Sequence, residues 1–500
     1  MIKFRYPLKA REVENREIKP ALLRKARQTA DFRDTCPQNN LNTQALTGLI
    51  FVINSGSFEV KHSPMVFGRL FGWGKNRERD PGIAFGRYSD NNKTPDKVEQ
   101  WTTADNLFKS KEYMKSLDAF FDYLKDEAEQ NVVFERVDDS GTFTVFQGSK
   151  RVKGVFHNGR MSAQVSLAKM PETNVPAMRR LLEMNFNLFY TRYCIQDGEV
   201  LMKFDTDISS ANPNKLYYGL KELATKADKQ DDILVNEFLS LRSVDSDHIE
   251  PLSDSEKEVK YEYLVKWITE TLDYVGSLDN EKFSGAISYV LLALCFRIDF
   301  LIVPEGKVLH DLEKIGTTYF GKNEKSAHEK IPAMIEGFEK IRKITRDEML
   351  AGLYRSKHTF AIVPPHNHKE VADSMENAIQ NMKWYRDNHY PEIANRVMEY
   401  GLAYCQYSYS LPRPLSEFFR LFMQVNYSDY FRALGFPTML YDPATRAFDQ
   451  DQVVDAITET ISLWRGKYPS LSFKTKNLKF NSLLDFNYTY LSELAALKFE

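Results

Sequence analysis

The feature that most constrains the fold is a series of short strand patterns between residues 131 and 238, separated by tight-turn residues. An Asn-Gly pair at 158–159 and an Asp-Gly pair at 197–198 accept the positive φ angles of two-residue hairpin turns. After the first pair, apolar and polar residues alternate strictly, which predicts a strand with one buried face. The apolar members of that alternation are Met161, Ala163, Val165 and Leu167.

Helix patterns surround these strands. Apolar residues recur every three or four positions in Asp105–Glu127 and Val175–Met184, and again after Pro213, a residue that favours the first turn of a helix. The helix after Pro213 has an apolar stripe made of Leu216, Leu220, Leu223, Ala224, Ala227 and Leu234. The pattern therefore predicts an antiparallel sheet with helices packed on it, with no evident catalytic set.

Residues 101–240 resemble the fold shared by type III secretion chaperones and the YbjN-like family. The likeness lies in the order of strands and turns in DDSGTFTVFQGSKRVKGVFHNGRMSAQVSLA, then MRRLLEMNF, then TRYCIQDGEVLMKFD, and then the helix from Pro213. Members of this kind are bacterial and non-enzymatic, are often dimeric, and bind unfolded or extended segments of a client. They are usually small and stand alone, whereas long extensions flank the module here.

The rest of the chain predicts an α+β, multidomain protein. Residues 1–43 form a basic arm, residues 44–100 a β-rich segment, and residues 241–260 an acidic linker rich in serine. Residues 261–500 predict an α-helical domain without a fixed repeat. Its helices are expected at Tyr261–Val275, Lys282–Ile302, Val308–Phe320, Ala327–Ile344, His368–Asn388, Pro391–Ser408, Pro414–Gln424, Asp451–Arg465 and Ser482–Leu497.

Residues 66–88 form an unusual loop in which glycines, aromatic residues and arginines alternate. Aromatic side chains between cations can stack bases or hold a peptide. The alternative is a structured loop whose glycines adopt turn conformations and whose aromatic residues fill a core. Its candidate ligand-binding residues are Arg69, Trp73, Lys75, Arg77 and Arg79.

Composition excludes few function classes. The net charge is −2 with 27% charged residues, so the chain as a whole has no electrostatic drive toward nucleic acid. Cys36, Cys194, Cys295 and Cys405 stand far apart and predict reduced thiols in a cytoplasm. The segment 283–303 is apolar, but Arg297 and Asp299 interrupt it, and this favours a core helix over a membrane span.

Motifs for chemistry are weak. His366 and His368 could share a metal with a nearby carboxylate, but no second histidine cluster supports such a site. We therefore expect no metal, no cofactor and no enzymatic activity, with Cys295 and Cys405 buried as packing residues.

The expected function is non-enzymatic protein binding, as a chaperone, adaptor or assembly component of a bacterial complex. The partner would be a protein client or complex subunit, with homodimerisation also open, captured as an extended segment along the sheet by edge pairing and apolar pockets. Alternatively, an enzyme or nucleic-acid-binding effector would use the 66–88 loop or the region of His366 and His368. The candidate contacts, each of which also fits a core position, are Val145, Val155, Val165, Phe189, Tyr193 and Met202.

Overall fold

The computed structural model describes residues 80–86, 93–245, 247–321, 325–360, 368–408 and 411–499. The basic arm at 1–43, most of the β-rich segment and all five candidate residues of the 66–88 loop lie outside the described residues, as does His366. Everything below concerns the described part of the chain.

Hairpins build an antiparallel sheet with strand order β1-β2-β3-β4-β6-β5, with β7 paired to β4. The predicted Asn-Gly and Asp-Gly turns are confirmed, because both residues of each pair have positive φ angles between 50° and 74°. The strands are β1 Val132–Val137, β2 Ser140–Gln147, β3 Lys150–His157, β4 Arg160–Lys169, β5 Arg192–Gln196, β6 Glu199–Asp207 and β7 Arg242–Ser243.

Four helices accompany the sheet: α1 Pro95–Lys109, α2 Tyr113–Leu124, α3 Val175–Asn185 and α4 Pro213–Glu237. The long helix α4 covers one face, and every residue of its predicted stripe is buried. We refer to the elements from α1 to β7 as the sheet region. The expectation of one helix over 105–127 was wrong, because Lys111 adopts a left-handed conformation (φ 64°) that ends α1 and redirects the chain into α2.

The predicted acidic linker at 241–260 contains some regular structure. It contains β7, the strand β8 Glu250–Pro251 and the start of a helix at Asp254. Ser253 caps that helix by accepting a hydrogen bond from the backbone N–H of Glu256, and acidic residues are favourable in a first helical turn. Two of the acidic residues, Asp254 and Glu256, thus belong to the first turn of a helix.

The remaining chain is mainly helical, as predicted, and we call it the helical region. All nine predicted helices are present; the helix expected at Tyr261 begins earlier, at Asp254, and α9 and α13 were not foreseen. The helices are α5 Asp254–Gly276, α6 Asn280–Arg297, α7 Gly306–Phe320, α8 Ala327–Arg342, α9 Arg346–Ala351, α10 His368–Asp387, α11 Pro391–Ser408, α12 Arg413–Asn426, α13 Ser428–Ala433, α14 Gln450–Trp464 and α15 Leu483–Ala495. Short strand pairs join β8 to β9 Tyr354–Arg355, and β10 Tyr441–Asp442 to β11 Ala447–Phe448.

Among the described residues, the helical segment Asn280–Ile302 is long and apolar enough to cross a membrane. Its mean hydropathy is 1.9 over the most apolar window. That window is 83% buried inside the protein, which is typical of a central core helix. A short π-helical turn, Ile298–Ile302, ends it.

The sheet region and the helical region each have a hydrophobic core, yet both belong to one structural unit. A short segment, residues 354–360, joins them. The Lys357 carbonyl accepts a hydrogen bond from Gly148 N, and the Gln147 side chain accepts hydrogen bonds from Thr359 N and Phe360 N. Phe360 lies in the core of the sheet region with 1% of its surface exposed. The sheet region therefore uses a side chain that comes from more than 100 residues further along the chain.

Candidate functional site

The structure separates the six predicted partner contacts into two groups. Val155 is 52% exposed and Phe189 is 91% exposed, so both side chains are accessible. The other four point into the core beneath α4 or α3 and cannot reach a partner, which corrects the expectation. These are Val145, Val165, Tyr193 and Met202.

An exposed apolar surface lies on helix α3. The residues Val175, Met178, Leu182 and Phe186 recur at helical spacing and share one side of the helix, because residues three and four apart are neighbours. Their exposed fractions are 52%, 37%, 65% and 91%. The other side of α3 holds the helix in place through the buried Ala177 and Leu181. We call these four residues, together with Phe189, the apolar stripe.

Glu222 fixes the position of Phe189. Its carboxylate accepts hydrogen bonds from the backbone N–H groups of Phe189, Tyr190 and Thr191 at 2.9, 2.8 and 3.0 Å. A carboxylate bound by consecutive N–H groups holds a loop in one conformation. The highly exposed Phe189 ring therefore stands on a rigid support.

The outer edge of the sheet beside the stripe is partly closed. Asn185, at the end of α3, accepts a hydrogen bond from Tyr193 N at 2.7 Å and donates one to Tyr193 O at 3.3 Å. These are the two backbone groups that an added strand would use at that position of β5. Contact through apolar side chains therefore fits this surface better than edge pairing does.

The solvent-facing side of the sheet is mostly polar. One cross-strand row joins Thr144, Lys153, Gln164, Lys203 and Arg192 in register. A further ion pair joins Arg192 to Asp205 at 2.6 Å. Such a surface is typical of an antiparallel sheet with one solvated face, and it does not by itself mark a contact.

A second feature is a partly open cavity of about 250 Å³ at the junction of the sheet region and the helical region. Its walls come from three sources: segment 80–86, residues 128–129 of the sheet region, and several parts of the helical region, including segment 354–358 and α12. The volume is near the lower end of the range for small-molecule sites, roughly 300 Å³.

Segment 80–86 is the described end of the predicted glycine- and arginine-rich loop, and it forms one wall of the cavity. Phe85 packs against Phe431 and Phe436, with ring centroids 4.9 and 5.9 Å apart. Gly86 has a φ angle of 71°, and a Cβ there would lie 2.8 Å from the Phe300 ring. This part of the loop therefore agrees with the alternative prediction, in which glycines adopt turn conformations and aromatic residues fill a core.

Helix α12 directs three charged side chains at the cavity from successive turns: Arg413, Glu417 and Arg420. Arg413 pairs with Asp126 at 2.6 Å, and Arg420 pairs with Asp80 at 3.4 Å. Glu417 accepts a hydrogen bond at Oε1 from the Trp464 indole at 2.8 Å. Both arginines thus have carboxylate partners outside α12.

Two carboxyl groups of the cavity titrate near neutral pH. Burial raises the pKa of Glu417 to about 7, against the hydrogen bond from Trp464 and the charges of the two arginines. Burial also raises the pKa of Glu129 to about 7, since Arg413, 4.0 Å away, only partly offsets it. Neither residue was predicted from the sequence, although Arg413, Glu417 and Arg420 form a charged triplet at four- and three-residue spacing in an apolar helix.

The remaining candidate groups are half-buried at His368 and buried at the two cysteines. His368 contacts the Phe499 ring at 5.0 Å, and burial lowers the pKa of the imidazole. Within the described residues, no group of three or more potential ligands is arranged to hold a metal. Cys295 and Cys405 are fully buried, as predicted, and burial raises the pKa of both thiols.

Comparison with known proteins gives no relative. No protein-family model matches this chain, and a search of curated proteins finds no match. The resemblance to type III secretion chaperones and YbjN-like proteins therefore stays a prediction, and the site has to be interpreted from its own chemistry.

Proposed function

We propose that this chain is a non-enzymatic protein-binding adaptor, chaperone or assembly component that captures an apolar segment of a protein partner on the apolar stripe. The observation that carries the proposal is the exposure of Phe186 and Phe189, each 91%, beside the other stripe residues. Contiguous exposed apolar side chains are unusual on a monomer surface and mark interaction sites.

Rigid presentation supports the proposal. Aromatic anchors on a fixed backbone lose little conformational entropy on binding, and such anchors dominate the energetics of interfaces. Glu222 supplies that fixed backbone for Phe189, and helix α3 supplies it for Phe186. The partner surface that fits is an apolar helix or extended segment that covers the stripe along α3.

The cytoplasm remains the proposed location. Among the described residues, Cys194, Cys295 and Cys405 are free thiols, which fits a reducing compartment. Whether the partner is a client, a subunit of a larger complex or a second copy of this chain is an outcome of the test below.

The test compares full-length chains that carry point substitutions. Removing residues 101–240 would not be a clean deletion, because Phe360 would lose its packing partners. The double variant Phe186→Ser, Phe189→Ser should fold normally, since both side chains are almost fully exposed, and should lose the partner. The matched control is Trp384→Ser, Leu463→Ser, which removes side chains that are 43% and 46% exposed on the helical region.

We expect affinity purification to recover a partner with the wild-type chain and the control, but not with the stripe variant. The purified partner should then bind the wild-type chain at least ten-fold more tightly than the stripe variant. Sedimentation would identify self-association as the occupant if the wild type is a dimer and the stripe variant a monomer. Equal recovery with the wild type and the stripe variant would reject the proposed surface.

A further inference from the structure

Glu417 is a buried carboxyl group of the cavity that makes no ion pair with a described cation. The residue is 7% exposed and lines the cavity. Its Oε1 atom bonds the Trp464 indole, and within the described residues no cation lies within 4.0 Å of either carboxylate oxygen. A buried carboxyl with a free oxygen and no close cation is costly unless it is protonated or a ligand supplies the missing charge.

The neighbouring cationic side chains already pair with other carboxylates. Arg413 bonds Asp126 and faces Glu129, while Arg420 bonds Asp80 and lies over the Phe85 and Phe436 rings at 5.7 and 5.5 Å. Lys357 faces Glu129 and not Glu417. The described cations of the cavity thus serve other carboxylates, and Glu417 keeps one oxygen for a ligand.

The wall beside this charged group is apolar. Ile83, Phe85, Leu252 and Phe300 all line the same cavity. A hydrocarbon chain or small ring fits against such a wall, while a charged head group is held by a carboxylate. The space suits a small ligand, because its volume of about 250 Å³ lies near the lower end of the range of small-molecule sites.

We propose that the cavity is a binding site for a small organic cation, a primary amine or guanidinium compound, whose charged group is accepted by Glu417 and whose carbon skeleton lies against Phe85 and Phe300. This site is separate from the apolar stripe and goes beyond the proposed function. No bond is made or broken, so the cavity acts as a receptor site and not as a catalytic centre.

The chemistry predicts a proton signature. Glu417 has a pKa of about 7, so near that pH part of the population is neutral. A bound cation stabilises the ionised carboxylate, and binding must therefore release protons and become tighter as pH rises from 6 to 8. The groups that face Glu417 are Arg413, Arg420 and Trp464, and neither the guanidinium groups nor the indole titrates in this interval. Glu129, which lines the same cavity, also has a pKa of about 7.

The test is calorimetric titration of the full-length chain with agmatine and butylamine, with neutral N-butylacetamide as the matched ligand control. We expect the cations to bind and the acetamide not to bind. The variant Glu417→Gln keeps an acceptor for Trp464 and should weaken agmatine binding at least ten-fold. The variant Glu336→Gln, which changes an exposed residue of α8, should bind as the wild type does.

Titrations in phosphate and in HEPES buffer should give different apparent enthalpies, because released protons are taken up by the buffer. That difference should become smaller in Glu417→Gln, because Glu129 in the same cavity also has a pKa of about 7 and remains. No binding of either cation at millimolar concentration, equal binding of the neutral control, or undiminished binding to Glu417→Gln would each overturn the proposal. The stripe variant should bind agmatine normally, so failure of this site and failure of the partner surface are distinguishable.

Discussion

The sheet region and the helical region both bury charged side chains, but they compensate them differently. In the helical region, Glu399 accepts bonds from Arg297 at 2.8 Å, from Arg396 at 2.9 Å and from the Tyr427 hydroxyl at 2.6 Å. Burial alone would raise the pKa of Glu399, yet the two arginines keep it below its usual value. One carboxylate here has two cations.

In the sheet region, buried carboxyl groups outnumber the cations that pair with them. Lys150 bonds Asp231 at 2.9 Å, with 1% and 4% of the two side chains exposed. Two more carboxyls of α4 lie nearby: burial and the charge of Glu305 raise the pKa of Asp228 to about 8, and burial and Asp231 raise that of Asp232 to about 6. One cation here serves several acids.

The difference shows that burial of charge has two outcomes. Where cations are in excess, the carboxylate stays ionised and the cluster acts as a fixed structural link. Where acids are in excess, they take up protons near neutral pH and the stability of the region becomes pH-dependent. The cavity residues Glu129 and Glu417 follow the second pattern.

The largest effect is expected from Glu399→Gln. It leaves the buried Arg297 guanidinium without a charged partner among the described residues, and breaking such a buried pair costs about 3–5 kcal/mol. Urea unfolding at pH 7 measures the loss. The control Glu392→Gln, whose side chain is 48% exposed and pairs with Arg396, should lose less than about 1 kcal/mol. An equal loss of unfolding free energy in the two variants would contradict the distinction between the buried Glu399 cluster and an exposed ion pair.

A somewhat smaller effect is expected from Lys150→Met. The variant removes the cation from Asp231 and a donor from the Val244 carbonyl, a loss of about 3 kcal/mol at pH 8. At pH 5 the loss should shrink, because the orphaned carboxyl can take up a proton. Unfolding curves at the two pH values give the comparison, and a loss that does not change with pH would argue against an acid-rich cluster.

Asp228→Asn should stabilise the protein. Its folded pKa of about 8 lies above the unfolded value of 3.8, so the free energy of unfolding falls as pH rises between these values. Asparagine keeps the acceptor for Ser149 and cannot ionise. The gain should be near zero at pH 4 and at least about 1 kcal/mol at pH 8. A gain of the same size at both pH values would show that ionisation of Asp228 is not the cause.

The smallest effect on stability belongs to the stripe variant Phe186→Ser, Phe189→Ser. Exposed side chains away from structural features change the free energy of unfolding by about 0.5 kcal/mol or less. Thermal unfolding of the purified variant checks this, and it also establishes that loss of a partner is not loss of the fold. A large destabilisation would show that the stripe is covered by another part of the chain.

The local sequence pattern determined the helices and strands of this protein. Alternation and Asn-Gly or Asp-Gly turns set the hairpins, and three- and four-residue spacing set the helices, because each depends on neighbours in sequence. The structure confirms the α+β class, the buried face of β4 and the buried apolar residues of α4. The break at Lys111 escaped prediction, since apolar spacing continues on both sides of it.

Only the tertiary structure decided which apolar residues face solvent and which charges meet. Val165 and Phe189 are both apolar residues of the predicted module, yet one is 1% and the other 91% exposed, because packing under α4 covers the first alone. Phe360 completes a core formed by residues far earlier in the chain. Glu417 acquires its chemistry from Trp464 and from the cavity, and spacing along one helix carries no record of either. Such contacts join residues that are distant in sequence, and for that reason only the folded chain brings them together.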